Sequence, residues 1–326
     1  MMTFFSKLKL RDAVFHRRSW FAGFALFWGI ILPLTSNAAP IVTIIDDDAR
    51  SEQAIESVKE VADRCGVKVT FAPVAAFLKQ NSKIAERLLQ YVSEGHEIAS
   101  HSLTHSPKIW KAGAATDIQA IENEMIESEE IFHSFGLQPK TFVYPYGNFP
   151  RDVRSDIFRT VGKYYSVAFN ARGDINLPGE IHPLYISRHP LRKHNSLFMT
   201  EHLIDEAVKA DSSWVVILTH SANSDFSPEM LENIIRYAQQ SGAVFLTASA
   251  AWQQVKTWSM MSEDQIPDYS RFGDYVNAAY FHLPLLLGIG TVFAVSCCIV
   301  FYLSHRCIRR RRRNKATALP LKNNSR

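Results

Sequence analysis

Cysteine is nearly missing from the part of the chain where it would matter. Of four cysteines, only Cys65 lies in the long central stretch; Cys297 and Cys298 sit in an apolar run and Cys307 just beyond it. The central stretch therefore has no internal disulfide and no cysteine-based zinc site. It must stand on its hydrophobic core, and about 215 residues suffice for one. Positive charge is scarce there too. The chain carries 36 Lys/Arg against 32 Asp/Glu, but five of the bases lie in residues 1–20 and nine in residues 304–326, with one acid between the two ends. The remainder holds 22 bases against 31 acids. An acidic body lacks the basic face that nucleic acid requires, so no nucleic-acid partner is expected. There is no internal repeat, and with 47% hydrophobic and 21% charged residues disorder is not the default.

The basic ends read as membrane signals. Lys7, Lys9, Arg11, Arg17 and Arg18 precede the almost wholly apolar Trp20–Leu34, and Ser36-x-Ala38 follows as a small-residue exit. This describes a signal peptide over residues 1–38, cut after Ala38, with an uncleaved anchor as the alternative. Ala278–Leu303 has no Asp, Glu, Lys or Arg and is long enough to span a bilayer. Arg306 and Arg309–Arg313 follow it, and such clusters stay on the cytoplasmic side, where they can also meet anionic lipid. The expected organisation is an extracytoplasmic domain over 40–255 (periplasmic in a Gram-negative cell) and a connector over 256–277. A single-pass membrane helix over 278–303 and a cytoplasmic tail over 304–326 complete it.

Within the body, strand-like runs at 40–45, 67–71, 97–100, 141–143, 164–169, 184–187, 214–218 and 243–246 alternate with helical periodicity. The helical stretches are 51–64, 84–93, 116–135, 151–161, 200–210, 228–241 and 249–258. Continuous apolar strands between amphipathic helices mean an α/β fold with a parallel sheet, and about seven units suggest a barrel. Reactive groups belong at the strand ends of such a barrel. Four strand ends carry them: Asp46-Asp47-Asp48, His101 with His105, Tyr144-Pro145-Tyr146-Gly147, and Leu218-Thr219-His220. Two histidines four residues apart share a face in a helical turn, but they make half a zinc site only if a third ligand joins them. Three consecutive aspartates repel one another unless a cation or hydrogen bonds offset the charge. One aspartate and two histidines on Zn2+, or another divalent metal, would leave a position for water, with a second carboxylate to take its proton and His220 to donate one. His96 reads as a structural hydrogen bonder, and His182, His189, His194 and His202 as exposed.

In order and spacing, Ile45-Asp46-Asp47, the GHEIASHSLTH run, FVYPYG and LTH resemble the motifs of the NodB-type polysaccharide deacetylases, carbohydrate esterase family four. The resemblance covers roughly residues 40–250. It implies a distorted (β/α)7 barrel that removes N- or O-acetyl groups from sugars with a divalent metal, usually zinc. Carried over by motif, Asp46 is the base, Asp47 with His101 and His105 holds the metal, the Tyr146 backbone N–H holds the oxyanion and His220 is the general acid. Trp214 takes the place of the acetyl-pocket tryptophan, with Tyr144, Pro145 and Leu218 as further pocket residues.

Three positions depart from the family pattern. Asp48 replaces a glycine, so a shifted register, Asp47 as base and Asp48 as ligand, stays open. Val143 replaces a base-orienting arginine, for which Arg188 is the candidate substitute. Ser213 replaces an aspartate that often partners the histidine. The expected function is deacetylation of N-acetylated amino sugars in an extracytoplasmic polysaccharide or cell-wall glycan. An O-acetyl esterase, a small-amide hydrolase, or a non-catalytic glycan-binding or assembly subunit are the alternatives.

Overall fold

The run IVTIIDDD forms β1 (Ile41–Asp48), buried along its whole length, as befits a strand with covering layers on both faces. It is the central strand of the computed structural model, which describes residues 38–266 apart from 112–116, 148, 150 and 193–195. Parallel neighbours flank it: β7 (Trp214–Thr219) on one side and β2 (Thr70–Pro73) on the other. Next to β2 lies β3 (Glu97–Ile98), and next to β7 lies β6 (His189–Pro190). Two further strands, β4 (Phe142–Val143) and β5 (Ala168–Phe169), pair with each other. Isolated bridges, Ser100 to Phe142 and Phe169 to Ile186, tie that pair to the ends of the main sheet. The pairings thus run in a closed circuit of seven parallel staves, most of them short. β8 (Val244–Phe245) pairs only with Ile41 and Val42, below the point where β2 begins its own pairing at Ile45.

Side chains alternate across β1 and β7, and this alternation positions the site. Ile41 and Ile45 on β1, with Trp214 and Val216 on β7, join an interior cluster with Val143, Phe169 and Ile186. Val42 and Ile44, with Val215 and Ile217, face outward into the helix-packed cluster. Because the period is two, Asp47, Leu218 and His220 continue the inward face, whereas Asp46 and Thr219 continue the outward one.

Around the sheet lie α1 (Glu52–Cys65), α2 (Ala75–Gln80), α3 (Ser82–Ser93), α4 (Pro107–Trp110), α5 (Ile118–Ser134), α6 (Arg151–Val161), α7 (Ser196–Lys209), α8 (Pro228–Gln240) and α9 (Ala248–Val255). Their ends follow local chemistry. Ser51 accepts the Ala54 N–H at the start of α1, and Gly66, at φ +67°, ends it. α9 contributes Ala248, Ala251, Trp252 and Val255 to the interior cluster.

Two short helices, α2 and α4, were not expected, and the strand expected at 184–187 pairs with a neighbour only at Ile186. There the side-chain amide of Asn176 replaces a neighbouring strand: it donates to the Ser187 carbonyl at 2.9 Å and accepts the Ser187 N–H at 2.8 Å. Regular pairing resumes at His189–Pro190. The expected signal peptide (but for Ala38), membrane helix, tail and the second half of the connector lie outside the described residues. Among the described residues, no helix is long and apolar enough to cross a membrane.

Candidate metal centre and active site

Asp46, Asp47 and Asp48 are all buried, yet their carboxylates go to three different places. Asp46 points outward: Oδ1 accepts from the Thr219 hydroxyl at 2.7 Å and the Ser221 N–H at 2.9 Å, and Oδ2 from the Ser221 hydroxyl at 2.6 Å. Burial pushes its carboxyl up to about 6, against the lowering effect of those bonds. Asp47 points inward. Its Oδ1 receives the buried Arg188 guanidinium at 2.7 Å, and its Oδ2 lies 3.8 Å from His101 Nε2 and 3.9 Å from His220 Nε2. Burial would raise Asp47, but Arg188, His101 and His220 outweigh it and hold the carboxyl below its ordinary value. Asp48 and Ala49 leave the strand with left-handed φ of 74° and 48°. That turn carries the Asp48 carboxylate to the histidines despite its position on the outward parity.

The two histidines sit on a loop, not on the helical turn that their spacing suggested. Ser102 and His105 both have positive φ, and the rings meet edge to face with centroids 4.7 Å apart. The loop is pinned from two sides. Its Ser102 and Leu103 carbonyls accept the first amides of α2, from Ala75 and Ala76, at 3.0 and 2.9 Å. The buried Glu124 of α5 accepts the Leu103 and Thr104 N–H groups at 3.0 Å each, the Trp110 indole N–H at 3.3 Å and the Thr104 hydroxyl. Glu124 was missed in the sequence. Its signal was a charged residue on the buried face of a helix, beside Ile121, Met125 and Ser128.

Asp48, His101 and His105 form the one three-residue cluster among the described residues that is spaced to hold a metal ion. Asp48 Oδ1 lies 4.0 Å from His101 Nε2 and 3.9 Å from His105 Nε2. The chemistry of the donors fits a cation. Asp48 Oδ1 and His101 Nε2 are buried without a hydrogen-bond partner. His101 Nδ1 lies 2.9 Å from the Val143 carbonyl, which can only accept, so Nδ1 carries the proton and Nε2 turns a lone pair toward Asp48. Burial pushes the His101 pKa down to about 4, which keeps it neutral, as a ligand must be. Arg50 meets the other Asp48 oxygen at 3.2 Å.

The remaining predicted residues divide. His220 reaches the mouth, with Leu218 on the same inward face of β7 and buried. Tyr146 is exposed at the mouth, its ring 4.6 Å from that of His105, and Gly147 beside it has no room for a Cβ, which would lie 2.4 Å from Ala171 Cβ. Arg188, the candidate for the missing arginine, does reach a carboxylate, that of Asp47. Several residues lie in surroundings other than those expected for them. Asp46, expected as the base, faces outward; Asp47, expected as a ligand, lies beside both His101 and His220, and Asp48 is the carboxylate grouped with both His101 and His105. Tyr144 is buried in an aromatic cluster with Trp110, Phe142 and Phe149, its hydroxyl donating to the Leu184 carbonyl. Trp214 pairs with Ile41 at the opposite end of β7, about 16 Å along the strand from the mouth, and its indole donates to Thr43. Pro145 is buried as well, and His189, expected at the surface, lies buried beside the Gly173 carbonyl.

Residues 35–162 match the family model for polysaccharide deacetylase. The matched segment belongs to the polysaccharide deacetylase family. It takes in the aspartate run, the histidine pair and Tyr144–Gly147, while Arg188 and His220 lie beyond it. The chain is 28% identical over 135 residues to a gellan lyase from Bacillus sp, a match covering 41% of this chain and 5% of that protein. It is 25% identical over 114 residues to the uncharacterized protein YlxY of Bacillus subtilis (strain 168), covering 35% and 34%. The chain thus spans about a third of one of these curated relatives and a twentieth of the other. A structure of a putative polysaccharide deacetylase from Mycobacterium smegmatis, 9% identical, superposes with a TM-score of 0.54 over 68% of this chain and 91% of that one. At that identity the likeness speaks for the deacetylase fold.

Proposed function

We propose that the domain is a metal-dependent hydrolase that removes acetyl groups from N-acetylated amino sugars of a polysaccharide. The observation that carries this reading is the pair of buried, unpartnered atoms, Asp48 Oδ1 and His101 Nε2, aimed at each other beside an ionised Asp47. Asp48, His101 and His105 are the metal ligands in this reading, the shifted register of the aspartate run. A divalent ion bound there, zinc by its one-carboxylate, two-histidine donor set, supplies Lewis acidity to the acetyl carbonyl and to the attacking water.

The chain's own residues do the rest. Asp47, held by Arg188, takes the proton of the attacking water at Oδ2, and the guanidinium keeps the carboxylate oriented and charged until then. His220 Nε2, on the same inward face, gives a proton to the departing amine. The backbone N–H of Tyr146, held in the left-handed region before Gly147, is assigned the developing oxyanion. Export through residues 1–38 and tethering through residues 278–303 place the domain next to a surface or exported glycan; the support for this is the pattern of the two sequence ends.

Acetate release from N-acetylglucosamine oligomers, compared with O-acetylated xylan, tests the activity and the bond at once. Turnover on the amide is expected to exceed that on the ester, to stop on chelation, and to fall by about 10²–10⁴-fold in Asp47→Asn and His220→Ala. Unchanged turnover in either variant removes its assigned role. Bound glycan and bound metal without acetate release make the domain a glycan-binding subunit instead.

A further inference from the structure

With Asp47 and Asp48 in the base and ligand positions, Asp46 is left without a task, yet its carboxylate takes three hydrogen bonds, all from the residues on either side of His220. Thr219, the last residue of β7, gives one, and Ser221, the first beyond His220, gives two. Among the described residues the imidazole has no comparable support. Its nearest carboxylate oxygen, Asp47 Oδ2 at 3.9 Å, is too far for a hydrogen bond, and beyond it the chain is held by a turn, Asn223 N–H to the His220 carbonyl at 3.0 Å. The direction of the ring is therefore set by the backbone at 219–221.

We propose that Asp46 is a positioning residue for His220: its carboxylate grips both neighbours of the histidine on the outer face of the sheet and so holds the imidazole on the inner one. The strand's alternation sets Thr219 on the outer face, and a clamp on both 219 and 221, where β7 runs into the turn, limits the face to which 220 can be directed. Removing the carboxylate leaves two hydroxyls and one N–H without their acceptor in a largely closed space, and the turn can relax only by rotating residue 220. The chemistry assigned to His220 rests on the deacetylase reading; the placement of its ring does not.

The test uses the metal-loaded full chain with two readouts, steady-state turnover and the imidazole NMR signals of His220. Asp46→Ala is expected to lower kcat about 10- to 100-fold while KM and metal affinity stay within about twofold. Asp46→Asn retains an amide oxygen for Thr219 and the Ser221 N–H and offers its NH2 to the Ser221 hydroxyl. It should restore kcat to within about fivefold and return the His220 signals to wild-type positions. A fall in metal affinity in Asp46→Ala, with kcat kept, would assign Asp46 to the ligand loop and overturn the proposal. So would an Asp46→Asn as inactive as Asp47→Asn, which makes Asp46 the base. Unchanged kcat and unchanged His220 signals in Asp46→Ala would also refute it. If the wild type releases no acetate from any glycan, the deacetylase reading fails and the His220 signals alone decide. If Asp46→Ala does not fold, the Thr219→Val/Ser221→Ala pair takes its place.

Discussion

A histidine far from the metal cluster shows how burial divides the work among the histidines of this chain. His96 lies against the rings of Phe71 and Tyr91, and its Nδ1 accepts the Val69 N–H at 3.2 Å. Protonation would put a hydrogen where that N–H now points. Burial lowers its pKa to about 4, with Lys68 and Lys59 adding to the effect and Asp63 and Glu94 opposing it. A histidine titrating near 4 when folded and near 6.5 when unfolded binds more protons unfolded, so stability is lost as pH falls from about 6.5 toward 4. His96→Leu should be less stable than wild type at pH 7, because the Val69 N–H loses its acceptor. It should then lose less stability over that window, by about 3 kcal/mol at most, as read from urea midpoints of both proteins. Identical slopes with pH would remove His96 from the account. Residue placement was legible in the sequence in this way: His96 reads as a hydrogen bonder and accepts the Val69 N–H, and His101, His105 and His220, read from strand ends, are brought around Asp47 and Asp48. The register of Asp46–Asp48 was not, because three identical residues carry no parity mark. The faces of Ile41, Ile45, Thr219 and Ser221 supply it in three dimensions. Tyr144 and Trp214, read as pocket residues, lie in packed clusters, and an aromatic at a motif position looks the same whether it lines a pocket or fills a core.

At the scale of elements, the histidine loop depends on a helix distant in sequence. Glu124 gathers two loop amides, a hydroxyl and an indole N–H onto one buried carboxylate of α5, while α2 donates its first amides to the other side of the loop. A carboxylate so supplied with donors tolerates burial, and a loop so pinned presents both imidazoles without regular structure of its own. Glu124→Ala should weaken metal binding about 10- to 100-fold by isothermal titration, with helical content by circular dichroism unchanged. Glu124→Gln should lose less, since one oxygen can still accept the two amides. Equal affinity in all three proteins would show that α2 alone holds the loop. The long elements, α1, α3, α5, α6, α8, β1 and β7, were readable because each carries enough periodic positions to declare a face. The six-residue α2 was not: no side chain caps it, and its first amides are satisfied by carbonyls of the histidine loop. β6 moved past its expected place because Asn176 answers Ser187 where a strand would.

For the whole molecule, the proposed metal site would couple ion binding to folding. The domain buries Asp46, Asp47 and Asp48 side by side, and Arg188 and Arg50 reach only two of them. The cluster of Asp48, His101 and His105 exists only when β1 and the loop after β3 are brought together, so an ion that binds it binds the folded chain alone. At a free metal concentration about 100 times Kd, such binding adds about 2.7 kcal/mol to stability. For a domain of this size that raises Tm by about 5–10 °C. Thermal unfolding with zinc and with a chelator should show this difference in the wild type and in Asp47→Asn. It should vanish in Asp48→Asn and His105→Ala. The comparison separates the two registers without any substrate. If Asp47 were the ligand, Asp47→Asn would lose the shift and Asp48→Asn would keep it. If no variant changes the shift, the stabilising ion sits elsewhere, and the three-residue cluster has no claim to it.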